Sequence, residues 1–231
     1  MNSLAGYFFG MLIVACSVSA QNPVTNQHLS DTMPFLYDFH LQRVIQFEKE
    51  PVDPGRIIFI GNSLTQGGNW KKLLNDSTVI NRGIGGDNTY GVLKRLNDVV
   101  RRKPSKLFIL IGINDIAKDI PDDVIIDNYR KIIRQAQLKS ADTKIYVQSL
   151  LPINTAVKGF PQHYDKTEHI VKVNAKLKKL AYALHCEFVD LFPIFLDAKK
   201  RLDARFTHDG LHLNEMGYQH WVDHLKKTKC L

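Results

Sequence analysis

The chain has 231 residues, 44% of them hydrophobic and 23% charged, which allows one sizeable core and leaves too little for two catalytic domains. That balance excludes disordered and fibrous classes. The formal net charge is +8, but Lys and Arg are spread along the chain and no nucleic-acid module accompanies them, so no nucleic-acid partner is expected.

Residues 7–20 are apolar or small, carry no charge, and end in Val18-Ser19-Ala20, a small-residue cleavage site. The run is too short for a membrane span, and residues 1–20 read as a secretory signal peptide. Ile13-Val14-Ala15-Cys16 also fits a bacterial lipobox, which would make residues 1–15 a lipoprotein signal and Cys16 a lipid anchor. Both readings predict an exported protein, either soluble in the periplasm or medium or lipid-anchored at the cell envelope. Membrane contact is expected only through Cys16. Cys186 and Cys230 could bridge in an oxidising compartment. The simpler reading makes Cys186 a small strand residue and Cys230 part of a frayed tail.

Residues 21–31 read as a polar linker, and Phe35 to Lys49 as an amphipathic helix carrying Phe35, Leu36, Phe39, Val44 and Phe47. Pro51 to Gly55 breaks it, so residues 21–55 form a linker and N-terminal helix ahead of a main domain over 56–231. Strands are predicted at 56–60, 79–81, 106–111, 144–149 and 187–190. Helices are predicted at 70–74, around Val92 to Val100, and at 124–140, 164–184 and 215–227. Apolar strands separated by helices predict an α/β fold: a three-layer α/β/α sandwich around a central, mostly parallel five-stranded sheet. In such sheets chemistry gathers beyond the carboxyl ends of the strands.

Four segments fit that expectation. Gly61-Asn62-Ser63-Leu64 follows the first strand and exposes a serine whose own amide can share its space. It is not Gly-x-Ser-x-Gly, since position 65 is Thr. Asn81 to Asp87 follows the second strand, and its glycines leave amides free for an anion. Gly112-Ile113-Asn114-Asp115 follows the third and offers an amide side chain. In Asp209-Gly210-Leu211-His212, the carboxylate can reach the imidazole Nδ1 on one loop and leave Nε2 for the serine. Read alone, Asp209 could as well cap the last helix and His212 sit in a core.

Together, in this order, the four blocks resemble those of the SGNH (GDSL-like) hydrolase family, over roughly residues 56–218. The resemblance implies the flavodoxin-like SGNH fold and a serine esterase with Ser63, His212 and Asp209 as catalytic residues. It also implies an oxyanion hole made of the Ser63 and Gly86 amides and the Asn114 side chain. Asn62 stands where the family has the Asp of GDSL, a position outside the triad. Neither a cofactor nor a metal is expected. His220 and His224 are four apart on a helix but have no third ligand, so a surface role is expected for them.

No apolar insertion flanks these blocks, and the loops read as short and polar, which favours a small acyl group, most simply acetyl. Arg82 is a candidate for a substrate carboxylate. In the long loop from Leu151, Asn154, Lys158, His163 and Tyr164 are candidates for a sugar. The chain also resembles exported bacterial acetylesterases acting on sialic acids and other acetylated glycans, so the expected substrate is a small-molecule or glycan ester such as 9-O-acetyl sialate. The alternatives are a lysophospholipase or thioesterase, a platelet-activating-factor-acetylhydrolase-like enzyme, and a catalytically silent glycan-binding protein. Oligomeric state is not readable from the sequence.

Overall fold

The computed structural model describes residues 37–157 and 159–231. The apolar N-terminal run, Cys16 and Lys158 lie outside them. The elements in order are α1 (Tyr37–Lys49), β1 (Ile57–Gly61), α2 (Ser63–Gln66), α3 (Trp70–Leu74), β2 (Ile80–Gly83), α4 (Thr89–Val100), β3 (Lys106–Leu110), α5 (Ile113–Ala117), α6 (Asp122–Lys139), β4 (Lys144–Gln148), α7 (Thr167–Ala183), β5 (Glu187–Val189) and α8 (Glu215–Lys227). The five strands form one parallel sheet in the order β2-β1-β3-β4-β5, so the predicted fold class holds.

Strand side chains alternate between two cores. Ile58, Ile60, Leu107, Ile109, Ile145 and Val147 face the layer of α4, α6 and α7, against residues such as Leu96, Ile132 and Leu177. Phe59, Phe108 and Tyr146 face the other way, towards Trp70 of α3 and Trp221 of α8. Those three rings are register partners on adjacent strands; Trp70 stacks on Phe59 at 4.0 Å between centroids, Phe59 on Phe108 at 4.6 Å and Phe108 on Tyr146 at 4.5 Å. The column ties α3 to the middle of the sheet.

Several differences from the sequence reading have local causes. α2 and α5 carry no apolar stripe of their own and begin at the turns that leave β1 and β3, so the sequence does not mark them as it marks the equally short α3. The predicted helix 164–184 begins only at Thr167; Tyr164 is extended and Asp165 is left-handed at φ 56°, which separates a 3₁₀ turn, Pro161–His163, from α7. Cys186 and Cys230 are both free and buried, and burial pushes the Cys186 thiol up to about 11. Cys230 is no frayed tail, for its amide donates to Leu225 O at 2.9 Å.

The strand order places the site. The chain runs from β1 outward to β2, then crosses back to β3 on the other side of β1, so the loops leaving β1 and β3 diverge. A crevice opens at such a switch point.

Candidate active site

Ser63 is the first residue of α2, directly beyond β1. Asn62 caps that helix, its Oδ1 accepting from Leu64 N at 3.0 Å. The capping bond therefore survives at the position where the family has Asp, although Asn62 Nδ2 is buried without a partner. A third residue fixes the turn: Asn81 Nδ2 donates to the carbonyls of Thr65, Gln66 and Gly68 at 3.0–3.1 Å.

From the far end of the chain, His212 Nε2 reaches Ser63 Oγ at 2.9 Å, and its Nδ1 lies 2.8 Å from Asp209 Oδ2. A carboxylate on Nδ1 selects the tautomer with the proton there, leaving Nε2 to accept from the serine hydroxyl. Asp209 Oδ1 accepts the amides of Leu211 and His212 at 2.9 and 2.7 Å. Burial pushes the Asp209 carboxyl upward, but these amides and the imidazole outweigh it, and its pKa is lowered. The loop turns at Gly210, φ +84°, where a Cβ would fall 2.4 Å from Asn154 O.

The two other expected donors border the same cavity, of about 510 Å³. Gly86 is left-handed, φ +74°, a conformation that turns the loop after β2 back towards Ser63. Asn114, in α5 beyond β3, donates through Nδ2 to Asp87 O at 2.8 Å, which fixes its amide plane. Asp87 is in turn clamped. Its carboxylate takes Arg95 Nε at 2.8 Å, while the same guanidinium donates to Arg82 O and Gly61 O at 2.8 and 2.9 Å. One buried cation thus joins the ends of β1 and β2 to the loop that holds Gly86. Burial raises the Asp87 pKa against the pull of Arg95 and His40.

Among the remaining candidates, His163 lines the cavity. Arg82 does not, and its assignment to a substrate carboxylate is corrected. It is 2% exposed and is held by Asp98 and Glu50, each at 2.7 Å, with its guanidinium over the Phe47 ring. Asn154 is likewise withdrawn from substrate contact; it is buried, donating to Leu202 O and accepting from Ala156 N. Tyr164 braces its own loop through Gly159 N and Val157 O. His220 is half-buried, stacking on Phe206 and bonding Ile194 O.

The sequence reading missed Ala117, Lys118, Phe160 and Leu211 in the cavity wall. Gln162 is there too, and Ala117, Phe160 and Leu211 make the wall more apolar than the expected short polar loops. Lys118 was within reach of sequence reasoning, because it lies one helical turn beyond Asn114. Phe160 packs edge-on against the His212 ring, centroids 4.9 Å apart. A further concavity of about 570 Å³ lies at the opposite end of β4 and β5, beside Cys186 and Cys230, remote from the Ser63–His212 pair. Among the described residues no group of three His, Cys, Asp or Glu side chains could hold a metal ion.

Comparison with known proteins agrees with this architecture. Residues 59–220 match the GDSL-like Lipase/Acylhydrolase family, and the chain belongs to that family of ester hydrolases. Among curated proteins it is similar to the human platelet-activating factor acetylhydrolase IB subunit alpha1, 26% identical over 179 residues, covering 74% of this chain and 72% of that one. Among solved structures it is similar to a Streptococcus pneumonia protein provisionally assigned as a platelet activating factor, with TM-score 0.75, 31% identity, and coverage of 87% of this chain and 96% of the other. An acetyl xylan esterase, AlAXEase, shares the fold at TM-score 0.62 and 21% identity, covering 75% of this chain and 98% of that one.

Proposed function

We propose that the protein is a serine esterase that removes short acyl groups, acetyl foremost, from hydroxyl-rich alcohols such as sugars, with O-acetylated sialic acid as one candidate. The observation that carries this is the unbroken relay Asp209–His212–Ser63, with spacings of 2.8 and 2.9 Å, opening into a cavity shared with Gly86 and Asn114. His212 takes the Ser63 proton as Oγ attacks the ester carbonyl. The amides of Ser63 and Gly86 and the Asn114 side chain hold the oxyanion. His212 then protonates the departing alcohol, and water, activated by the same imidazole, releases the acyl group.

A cavity of about 510 Å³ suits a short acyl group together with one ring-sized alcohol moiety. The curated relatives are acetylhydrolases by name. With Arg82 withdrawn, Lys118 is the cation that borders the cavity for an acidic sugar. A second reading, an acetylated glycerophospholipid as substrate, is favoured by the apolar wall of Phe160 and Leu211. Comparing kcat/KM for O-acetyl sialate, acetylated xylo-oligosaccharide and a short-chain acetyl glycerophospholipid decides between them. We expect a sugar ester to be cleaved best. Preference for the phospholipid would move the assignment to the lipid reading. We also propose that the protein is exported, through cleavage after Ala20 or lipidation of Cys16, a reading supported by the uncharged apolar run of residues 7–20.

A further inference from the structure

His163 borders the catalytic cavity, and the relay gives it no task. It closes the 3₁₀ turn Pro161–His163 and is 4% exposed. Neither Nδ1 nor Nε2 has a hydrogen-bond partner, and both are shielded from solvent. Buried polar groups are otherwise nearly always paired. Among the described residues His40 leaves Nε2 buried without a hydrogen-bond partner, but His163 is the histidine that leaves both ring nitrogens so, whereas His212 has both engaged and His220 bonds a carbonyl. Packing alone does not account for an imidazole here. The ring meets Phe160 at right angles, centroids 6.0 Å apart, a contact that phenylalanine would make without orphaning two nitrogens.

We propose that His163 is a specificity-determining residue that receives a hydroxyl of the substrate's alcohol moiety, so that the enzyme selects esters of hydroxylated alcohols over apolar ones. The proposal rests on reading this cavity as the ester site. Burial, and then the neighbouring His212, push the His163 pKa down to about 4. The ring is therefore neutral near pH 7 and offers one N–H donor and one lone pair. A hydroxyl, itself donor and acceptor, can pair with whichever of the two nitrogens faces it. A carboxylate or phosphate could use only the donor, and a hydrocarbon neither. The second torsion of histidine is broad, so a turn of the ring presents a nitrogen to the cavity without backbone movement. The backbone there is held, with His163 N donating to Phe160 O at 3.0 Å and Tyr164 bracing the loop.

The test compares kcat/KM for a mono-O-acetylated methyl glucoside and for cyclohexyl acetate, a ring ester without hydroxyls. It uses the wild type, His163→Phe and His163→Gln, with Ser63→Ala as background. The wild type is expected to prefer the glucoside. His163→Phe should cut that preference about tenfold or more, whereas Gln, which keeps a donor and an acceptor, should hold it within about threefold. Because Phe removes two unpartnered nitrogens, its melting temperature should rise by about 2–4 °C. A preference that His163→Phe leaves unchanged overturns the proposal, and a fall in melting temperature beside it marks a packing residue. Should His163→Phe not fold, His163→Met poses the same question. If the wild type cleaves neither ester above the Ser63→Ala background, the ester-site reading fails and the proposal falls with it, a result distinct from an unchanged preference.

Discussion

Asn114 shows how much of this site is orientation rather than chemistry. Its side-chain amide donates a hydrogen bond to Asp87 O and borders the cavity beside Ser63. A donor aimed at a developing oxyanion is typically worth about 3 kcal/mol. Asn114→Ala should therefore lower kcat for p-nitrophenyl acetate about a hundredfold or more with much less change in KM, as steady-state kinetics would show. Near-normal turnover would remove Asn114 from the hole. Ser63, Asn114, Asp209 and His212 could be found from sequence because their short blocks, each ambiguous alone, together and in order resemble those of one family. Arg82 could not be placed in that way. Being near Gly86 in sequence says nothing about where a strand side chain points, and Arg82 points into a cluster with Asp98 and Glu50. Asn154 misled for a related reason, since a polar residue in a loop can serve the loop's own backbone, as this one does.

β1, β2 and α4 meet the catalytic loops through Arg95. Its guanidinium satisfies two strand-end carbonyls and the Asp87 carboxylate, and Gly91 one turn back is required by the same contact, since a Cβ there would come 1.7 Å from Asp87 Oδ1. Breaking a buried pair by removing one partner costs about 3–5 kcal/mol. Arg95→Met should accordingly lower the urea unfolding midpoint markedly and depress kcat, because the loop carrying Gly86 loses its anchor. A variant that unfolds with the wild type would show the clamp to be idle. Of the elements, those long enough to show a period were readable, including α4, α6 and α8. The short helices α2 and α5, which begin at the catalytic blocks, were not, because their positions come from caps and strand ends rather than from an apolar stripe. The break before α7 depends on the left-handed Asp165, which propensity alone does not announce.

Across the molecule, the parallel order β2-β1-β3-β4-β5 brings together blocks separated by as many as 149 positions, from Ser63 to His212. Strand segments that run apolar without alternation, separated by helices, implied the layers and the parallel sheet. Strand order is less legible, because it depends on which helices cover which face, and here the Phe59–Phe108–Tyr146 column and the Trp70 and Trp221 rings settle that packing. Cavity walls are harder still to read, since Phe160, Leu211 and Lys118 come from three separate loops or turns. The central claim is that this assembly makes Ser63 a nucleophile toward short acyl esters. The most direct measurement is hydrolysis of p-nitrophenyl acetate, butyrate and octanoate by residues 21–231 and by the Ser63→Ala variant. The account predicts acetate turnover that falls steeply with chain length and drops to background without the Ser63 hydroxyl. Activity that persists in Ser63→Ala, or a folded wild type inert toward all three esters, would contradict it.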